Sequence, residues 1–192
     1  RPPTRMERAD LVLLESTYGD RNHRTEADTL KELAGILAEA DREGGNVLVP
    51  AFAVGRTQEV LYHLGLLHHA GRLPQRHVFL DSPMAIEVTR LYDRLSHLLD
   101  PEDLESLRSA GGPSLAEALP QLELTADAEA SRGINDVRGG AIVVAGSGMC
   151  TGGRIRHHLK HNLWRPETHL VIVGFQARGT LGRLLVDGVE KV

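Results

Sequence analysis

The sequence predicts one α/β domain: a mainly parallel sheet with helices on both faces, in three layers (α/β/α). Two observations carry this expectation. Short apolar runs rich in valine, leucine and isoleucine recur along the 192 residues at the length of buried strands. Amphipathic stretches with helical spacing lie between them, and strand–helix–strand alternation makes neighbouring strands parallel. A chain of this length suffices for one proper core.

The predicted strands are 11–15, 46–52, 77–81, 141–145 and 169–175, with a weaker candidate at 121–125. The first predicted helix, 25–42, has apolar Leu30, Leu33, Ile36, Leu37 and Ala40 on one stripe and is ended by Gly44-Gly45. Val60, Leu61, Leu64 and Leu67 mark a second over 57–70, and Ile86, Leu91, Leu95 and Leu98 a third over 84–98. A short helix over 101–110 runs into Gly111-Gly112-Pro113. Residues 125–130 read as a capped helix start, and 153–163 and 179–185 complete the set. Residues 100–136 are the least regular and read as a helical excursion within the domain.

Composition excludes several classes. Hydrophobic residues make up 41% and charged residues 25%, as in ordinary globular domains. No apolar run approaches the ~20 residues needed to span a bilayer, so no membrane partner is expected. The N-terminus lacks the apolar core of a signal peptide. The single cysteine, Cys150, rules out an internal disulfide and suits a reducing cytoplasm. The net charge of −4 means that any binding of nucleic acid rests on a local cluster of cations and N–H groups.

The strand ends carry the chemistry. The run 141–145 breaks into Gly146-Ser-Gly-Met-Cys-Thr-Gly-Gly-Arg154 and then re-enters a helix. Such a turn gathers backbone N–H groups at a helix N-terminus, which suits a phosphate. Four other strand ends are loaded too: Glu15-Ser-Thr-Tyr-Gly-Asp-Arg21, Pro50-Ala-Phe-Ala-Val-Gly-Arg-Thr-Gln-Glu59, Asp81-Ser-Pro-Met-Ala85 and Gly174-Phe-Gln-Ala-Arg-Gly-Thr180. If all five strands run parallel, one rim holds Glu15, Asp20, Arg21, Arg56, Asp81, Ser82, Ser147, Arg154, Gln176, Arg178 and Thr180. The candidate phosphate cradle is the backbone of Gly148 and of Gly152, Gly153 and Arg154, with the Ser147 and Thr151 hydroxyls. Arg56 and Arg178 are candidate charge partners. Each residue also has a plainer reading: Asp81 as a helix cap, the glycines as steric necessities, Arg21 as solvated. His157 and His161 have a metal-chelating spacing, but no third ligand lies near them, so structural or surface roles are expected for His157, His158 and His161.

Taken in chain order, Leu14-Glu-Ser-Thr-Tyr-Gly-Asp20, Pro50-Ala-Phe-Ala-Val-Gly-Arg-Thr-Gln-Glu59, Leu80-Asp-Ser-Pro-Met-Ala85, Ala145-Gly-Ser-Gly-Met-Cys-Thr-Gly-Gly-Arg154 and Gly174-Phe-Gln-Ala-Arg-Gly-Thr-Leu-Gly182 resemble the β-CASP region of RNA-processing nucleases of the metallo-β-lactamase fold. The resemblance implies that Glu15 is the acidic residue of the first β-CASP motif, orienting a histidine supplied elsewhere beside a two-zinc centre. It implies RNA as the partner, with Arg56 and the turn 147–154 lining its path. It implies zinc in the parent enzyme and none in this chain, because the family's His-x-His-x-Asp-His loop does not occur here. On this reading residues 1–19 lead out of a metallo-β-lactamase domain, 20–175 form the cap on it, and 176–192 begin the return. The chain alone is then expected to be inactive. Two alternatives remain at this stage. One is a non-catalytic interaction or homodimerisation module. The other is a nucleotide-binding α/β enzyme, although the turn lacks the Gly-x-Gly-x-x-Gly spacing and no acid closes the next strand.

Overall fold

A computed structural model describes residues 5, 7–98, 100–109, 112 and 114–189. Five parallel strands form one sheet: β1 (Val47–Pro50), β2 (His77–Asp81), β3 (Leu122–Leu124), β4 (Ala141–Ala145) and β5 (His169–Leu170). Their spatial order is β3-β2-β4-β1-β5. The helices are α1 (Glu26–Glu43), α2 (Arg56–His69), α3 (Pro83–Arg94), α4 (Pro101–Ser109), α5 (Leu115–Ala118), α6 (Ala128–Gly133), α7 (Ile155–Asn162) and α8 (Leu181–Val186). Two short 3-10 turns, Ser96–Leu98 and Ile134–Asp136, join them. The predicted three-layer α/β/α class is the observed one.

Strand periodicity explains the layers. In β1, Val47 and Val49 face one core while Leu48 faces the other. In β2, Val78 and Leu80 oppose Phe79; in β4, Ile142 and Val144 oppose Ala141, Val143 and Ala145. Both faces of the central strands are therefore buried, which is why they read as unbroken apolar runs. Leu37, Leu61, Leu64 and Ile86, from α1, α2 and α3, fill the first core. Ile134, Ile155 and Leu159 fill the second, with Leu181 and Leu185 of α8 packed against it.

Helix ends follow local chemistry. The Thr25 side chain accepts from Asp28 N to start α1, and Gly44 in the left-handed region closes it. The cap of α6 is the Asp127 carboxylate, which accepts from Glu129 N and Ala130 N. Position 110 of the predicted fourth helix lies outside the described residues.

Two strand expectations are corrected and the weaker one is met. Residues 11–15 form no strand: Leu11, Val12, Leu13 and Leu14 are 72–88% exposed. Four consecutive apolar residues need cover on both faces, and no described residue supplies it. The weaker candidate is real, because β3 pairs with β2 through Val78 opposite Leu122. Part of the irregular segment thus belongs to the sheet. The predicted run 169–175 yields a ladder of only two residues. His169 N donates to Asn46 O and Val171 N to Leu48 O, so even-numbered β1 residues face β5. Pro50 comes next on that side and has no N–H to donate, so the ladder stops.

Candidate functional site

The carboxyl ends of β1, β2 and β4 meet because the strands are adjacent and parallel. Between them opens a cleft of about 340 Å³ lined by Phe52, Asp81, Ser82, Met84, Gly146, Ser147, Gly153 and Arg154, among others. Phe52 and Met84 are 47% and 66% exposed at its mouth.

The turn after β4 is tightly folded on itself. Ser147 N donates to Gly152 O at 3.1 Å and Ile155 N to Gly146 O at 3.0 Å. The Ser147 hydroxyl accepts from Gly152 N at 3.2 Å and lies 3.4 Å from the Thr151 hydroxyl. The Gly152 donor of the expected cradle is thus used within the turn. Gly153 has φ +70°, and a β-carbon there would lie 2.3 Å from the Gly146 carbonyl oxygen. At Gly148 a β-carbon would lie 2.7 Å from the Phe52 ring, so that ring rests directly on the peptide.

Beneath the cleft lies a buried polar hub. Asp81, wholly buried, accepts from His158 Nε2 at 2.6 Å, Ser131 Oγ at 2.7 Å, Arg154 at 2.8 Å and Thr125 Oγ1 at 2.9 Å. Burial by itself would raise its pKa. The four hydrogen bonds outweigh it and hold the carboxyl down at about 2. The helix cap at this strand end is Ser82, whose hydroxyl accepts from Ala85 N at 3.3 Å, and not Asp81. The Arg154 guanidinium also donates to the carbonyls of Thr125 and Ala126 at 2.8 and 2.7 Å. Its donors therefore tie three loops together below the surface.

Gln176 comes in from the β5 side. It is buried, and its amide donates to Gly148 O at 2.9 Å and to Gly174 O at 3.2 Å. Gly182 N of α8 donates to Met149 O at 3.0 Å, so the glycine turn is clasped from above as well. Thr180 caps α8 by accepting from Arg183 N at 3.2 Å, and Arg178 is exposed on the loop before it.

The remaining expected rim residues stand apart from this cleft. Arg56 lines a larger hollow of about 1100 Å³ between α1, α2 and the β5 side of the sheet, and is paired with Glu59 at 2.7 Å. Glu15 is exposed; hydrogen bonds from Thr17 hold its pKa below the usual carboxylate value. Asp20 is exposed and engages Arg21 through two bonds of 2.8 and 2.9 Å. In their segment Tyr18 approaches the β5 end, its ring meeting Phe175 edge-on at 6.1 Å.

Sequence reasoning did not single out Gln58, and for His158 it left the choice between a structural and a surface role open, which the structure resolves to the structural one. His158 shares the buried stripe Ile155, Leu159, Asn162 of α7, a pattern that marks it as the inward histidine of its cluster. Gln58 accepts from Gly55 N at 2.8 Å and donates to Thr89 Oγ1 at 2.9 Å, clamping the turn after β1. Among the described residues no three His, Cys, Asp or Glu side chains are grouped to hold a metal ion. No described helix is long and apolar enough to cross a membrane.

An α/β/α domain with a glycine turn over a cleft at its carboxyl strand ends is the class that fold and site define. Residues 57–185 match the Beta-Casp domain, and the chain belongs to that family, as the resemblance implied. It is 46% identical over 178 residues to ribonuclease TTHA0252 of Thermus thermophilus, covering 93% of this chain and 40% of that protein. It is 32% identical over 190 residues to the transcription termination factor FttA of Methanocaldococcus jannaschii, covering 96% and 29%. An RNase J-like protein of the same organism is 29% identical over 191 residues, covering 98% and 42%. The chain therefore spans between 29% and 42% of the length of these relatives.

Proposed function

We propose that this chain is the RNA-binding cap portion of an RNA-cleaving enzyme, and that the strand-end cleft is its contribution to the RNA path. The observation that carries the reading is the cleft itself: a glycine turn with hydroxyls on one side, and an exposed phenylalanine and methionine on the other. Such a surface suits a single strand, with backbone phosphate near N–H and hydroxyl groups and a base against an aromatic ring. The names of the relatives, a ribonuclease among them, support RNA as the ligand.

The chemistry of cleavage belongs to parts of the enzyme outside these 192 residues. In our reading two zinc ions, held there, would supply a Lewis acid and an activated water. This chain's share is positioning. Ser147, Thr151 and the backbone of Gly148 and Gly153 are the proposed phosphate contacts. Arg178, exposed on a neighbouring loop, is the proposed mobile cation. Arg154 acts one layer below, by holding the turn. Arg56 and Glu15 would act at the boundary with the rest of the enzyme, Glu15 by orienting a histidine from that side. The exposed Val54 and Phe175, outside the cleft, suit a face covered by that partner domain.

The test is binding of a labelled single-stranded RNA to the chain at low salt, followed by fluorescence anisotropy. Met84→Glu puts a negative charge at the mouth of the cleft on an exposed side chain, and Phe52→Ala removes the ring. Both should weaken binding while the far-ultraviolet circular dichroism stays unchanged. RNA affinity unaffected by both substitutions would overturn the assignment of this cleft.

A further inference from the structure

The glycine turn does not end at the cleft. It runs directly into α7, and α7 has two sharply different faces. Ile155, His158, Leu159 and Asn162 are buried against the sheet. Arg156, His157, Lys160 and His161 are all exposed. At about 100° per residue these four fall within an arc of about 140°. Arg156 and Lys160 stand one turn apart, about 6 Å along the axis. Just past the helix, Trp164 is 70% exposed. The stretch 155–165 contains no Asp or Glu. Among the described residues none of the four exposed basic side chains is ion-paired, whereas Arg21, Arg24, Arg42, Arg56, Arg90 and Arg183 each are.

That contrast is informative. Here a carboxylate-free basic stripe lies open, starts beside a cleft-lining arginine, and ends in an exposed indole. Unpaired cations spaced along a helix face match a polyanion, and a solvent-facing aromatic ring offers a base a surface on which to stack.

We propose that the exposed face of α7, from Arg156 to Trp164, is a second nucleic-acid contact surface, which takes the backbone of single-stranded RNA as it leaves the strand-end cleft past Gly153. The proposal rests on the reading of the cleft as an RNA site and extends it along the strand. Arg156 and Lys160 contact phosphates, and Trp164 stacks on a base. These contacts carry no sequence information, so they add affinity evenly across RNA sequences.

The chain contains one tryptophan, so its emission reports on this face alone. The experiment titrates the 192-residue chain with a labelled single-stranded oligouridylate. Anisotropy and Trp164 emission are followed together over a range of salt concentrations. The expected result is a change in Trp164 emission that tracks binding. In R156A/K160A the slope of log affinity against log salt should fall in magnitude by about 1.4, two single-strand phosphate contacts at about 0.7 each. Arg72→Ala, beyond the far end of α2, should leave the slope unchanged. Binding that leaves Trp164 emission and the R156A/K160A slope unaltered, yet is weakened by Met84→Glu, overturns this proposal and leaves the cleft standing. An equal loss of slope in the Arg72 variant reduces the effect to overall charge and overturns it as well. Absence of any RNA binding at low salt overturns both readings.

Discussion

Replacing Asp81 with asparagine probes the hub under the cleft. The carboxylate accepts from four donors, two on each oxygen: Thr125 and Arg154 on one, Ser131 and His158 on the other. An asparagine amide presents one acceptor and one NH2. Whichever way it is turned, its NH2 then faces one nitrogen donor, Arg154 or His158, and one hydroxyl that must turn round to accept. Removing one member of a buried charged pair costs about 3–5 kcal/mol. Arg154 retains 22% side-chain exposure and can reach water, which places the expected loss near the lower end, about 3 kcal/mol. For a chain of this size that is a fall in Tm of about 6–12 °C.

The pH dependence gives an independent check. Asp81 is depressed from 3.8 to about 2, so the folded state favours its ionised form. The resulting stability is fully present above pH 4–5 and is lost as the pH falls toward 2. It amounts to about 2 kcal/mol. Urea unfolding of both proteins at a series of pH values should show the difference between them shrinking over that window. A loss below about 1 kcal/mol at pH 7, or a difference that stays constant down to pH 2, would refute the argument that this carboxylate organises the turn.

Other expectations follow from the same geometry. Gly153→Ala forces a β-carbon into the Gly146 carbonyl at a positive φ, and thermal unfolding should show a loss of more than about 1 kcal/mol. Burial pushes the Cys150 thiol up to about 11, so labelling by a thiol reagent at pH 8 should be slow in the native chain and fast in urea. Elemental analysis after dialysis should find no stoichiometric zinc in the chain, and two tightly bound ions per chain would contradict the placement of the metal centre elsewhere. Gln176→Ala removes the donor to the Gly148 carbonyl and should weaken RNA binding more than it lowers Tm; the reverse order would make Gln176 a purely structural residue.

The central strands and most helices were legible because their signals are local. Two-faced burial turns β1, β2 and β4 into unbroken apolar runs, and Thr25, Gly44 and Ser82 mark helix ends by their own hydrogen bonds. The run 11–15 misled for a physical reason: an apolar run reports a need for cover, and no described residue provides it. The brevity of β5 came from Pro50 on another strand, 119 positions from His169 in the pairing that Val47 begins. In the site, residue type was legible but orientation was not. Asp81, Arg154 and Gln176 have side chains suited to a ligand, yet all three turn inward and bond to one another's loops. The lining of the cleft instead includes the glycine turn, the Ser147 hydroxyl, Met84 and the Phe52 ring.

The strand order has a consequence for synthesis. β4 lies between β1 and β2, although it follows both in the chain. Until residues 141–145 emerge, β1 and β2 have no common neighbour in the sheet, and the sides of the cleft are joined only through α2 and α3. Contacts of such long sequence separation form late. A nascent chain will therefore already hold α1 and α2 while the strand-end cleft does not yet exist, and the insertion of one five-residue strand then creates that cleft in a single step.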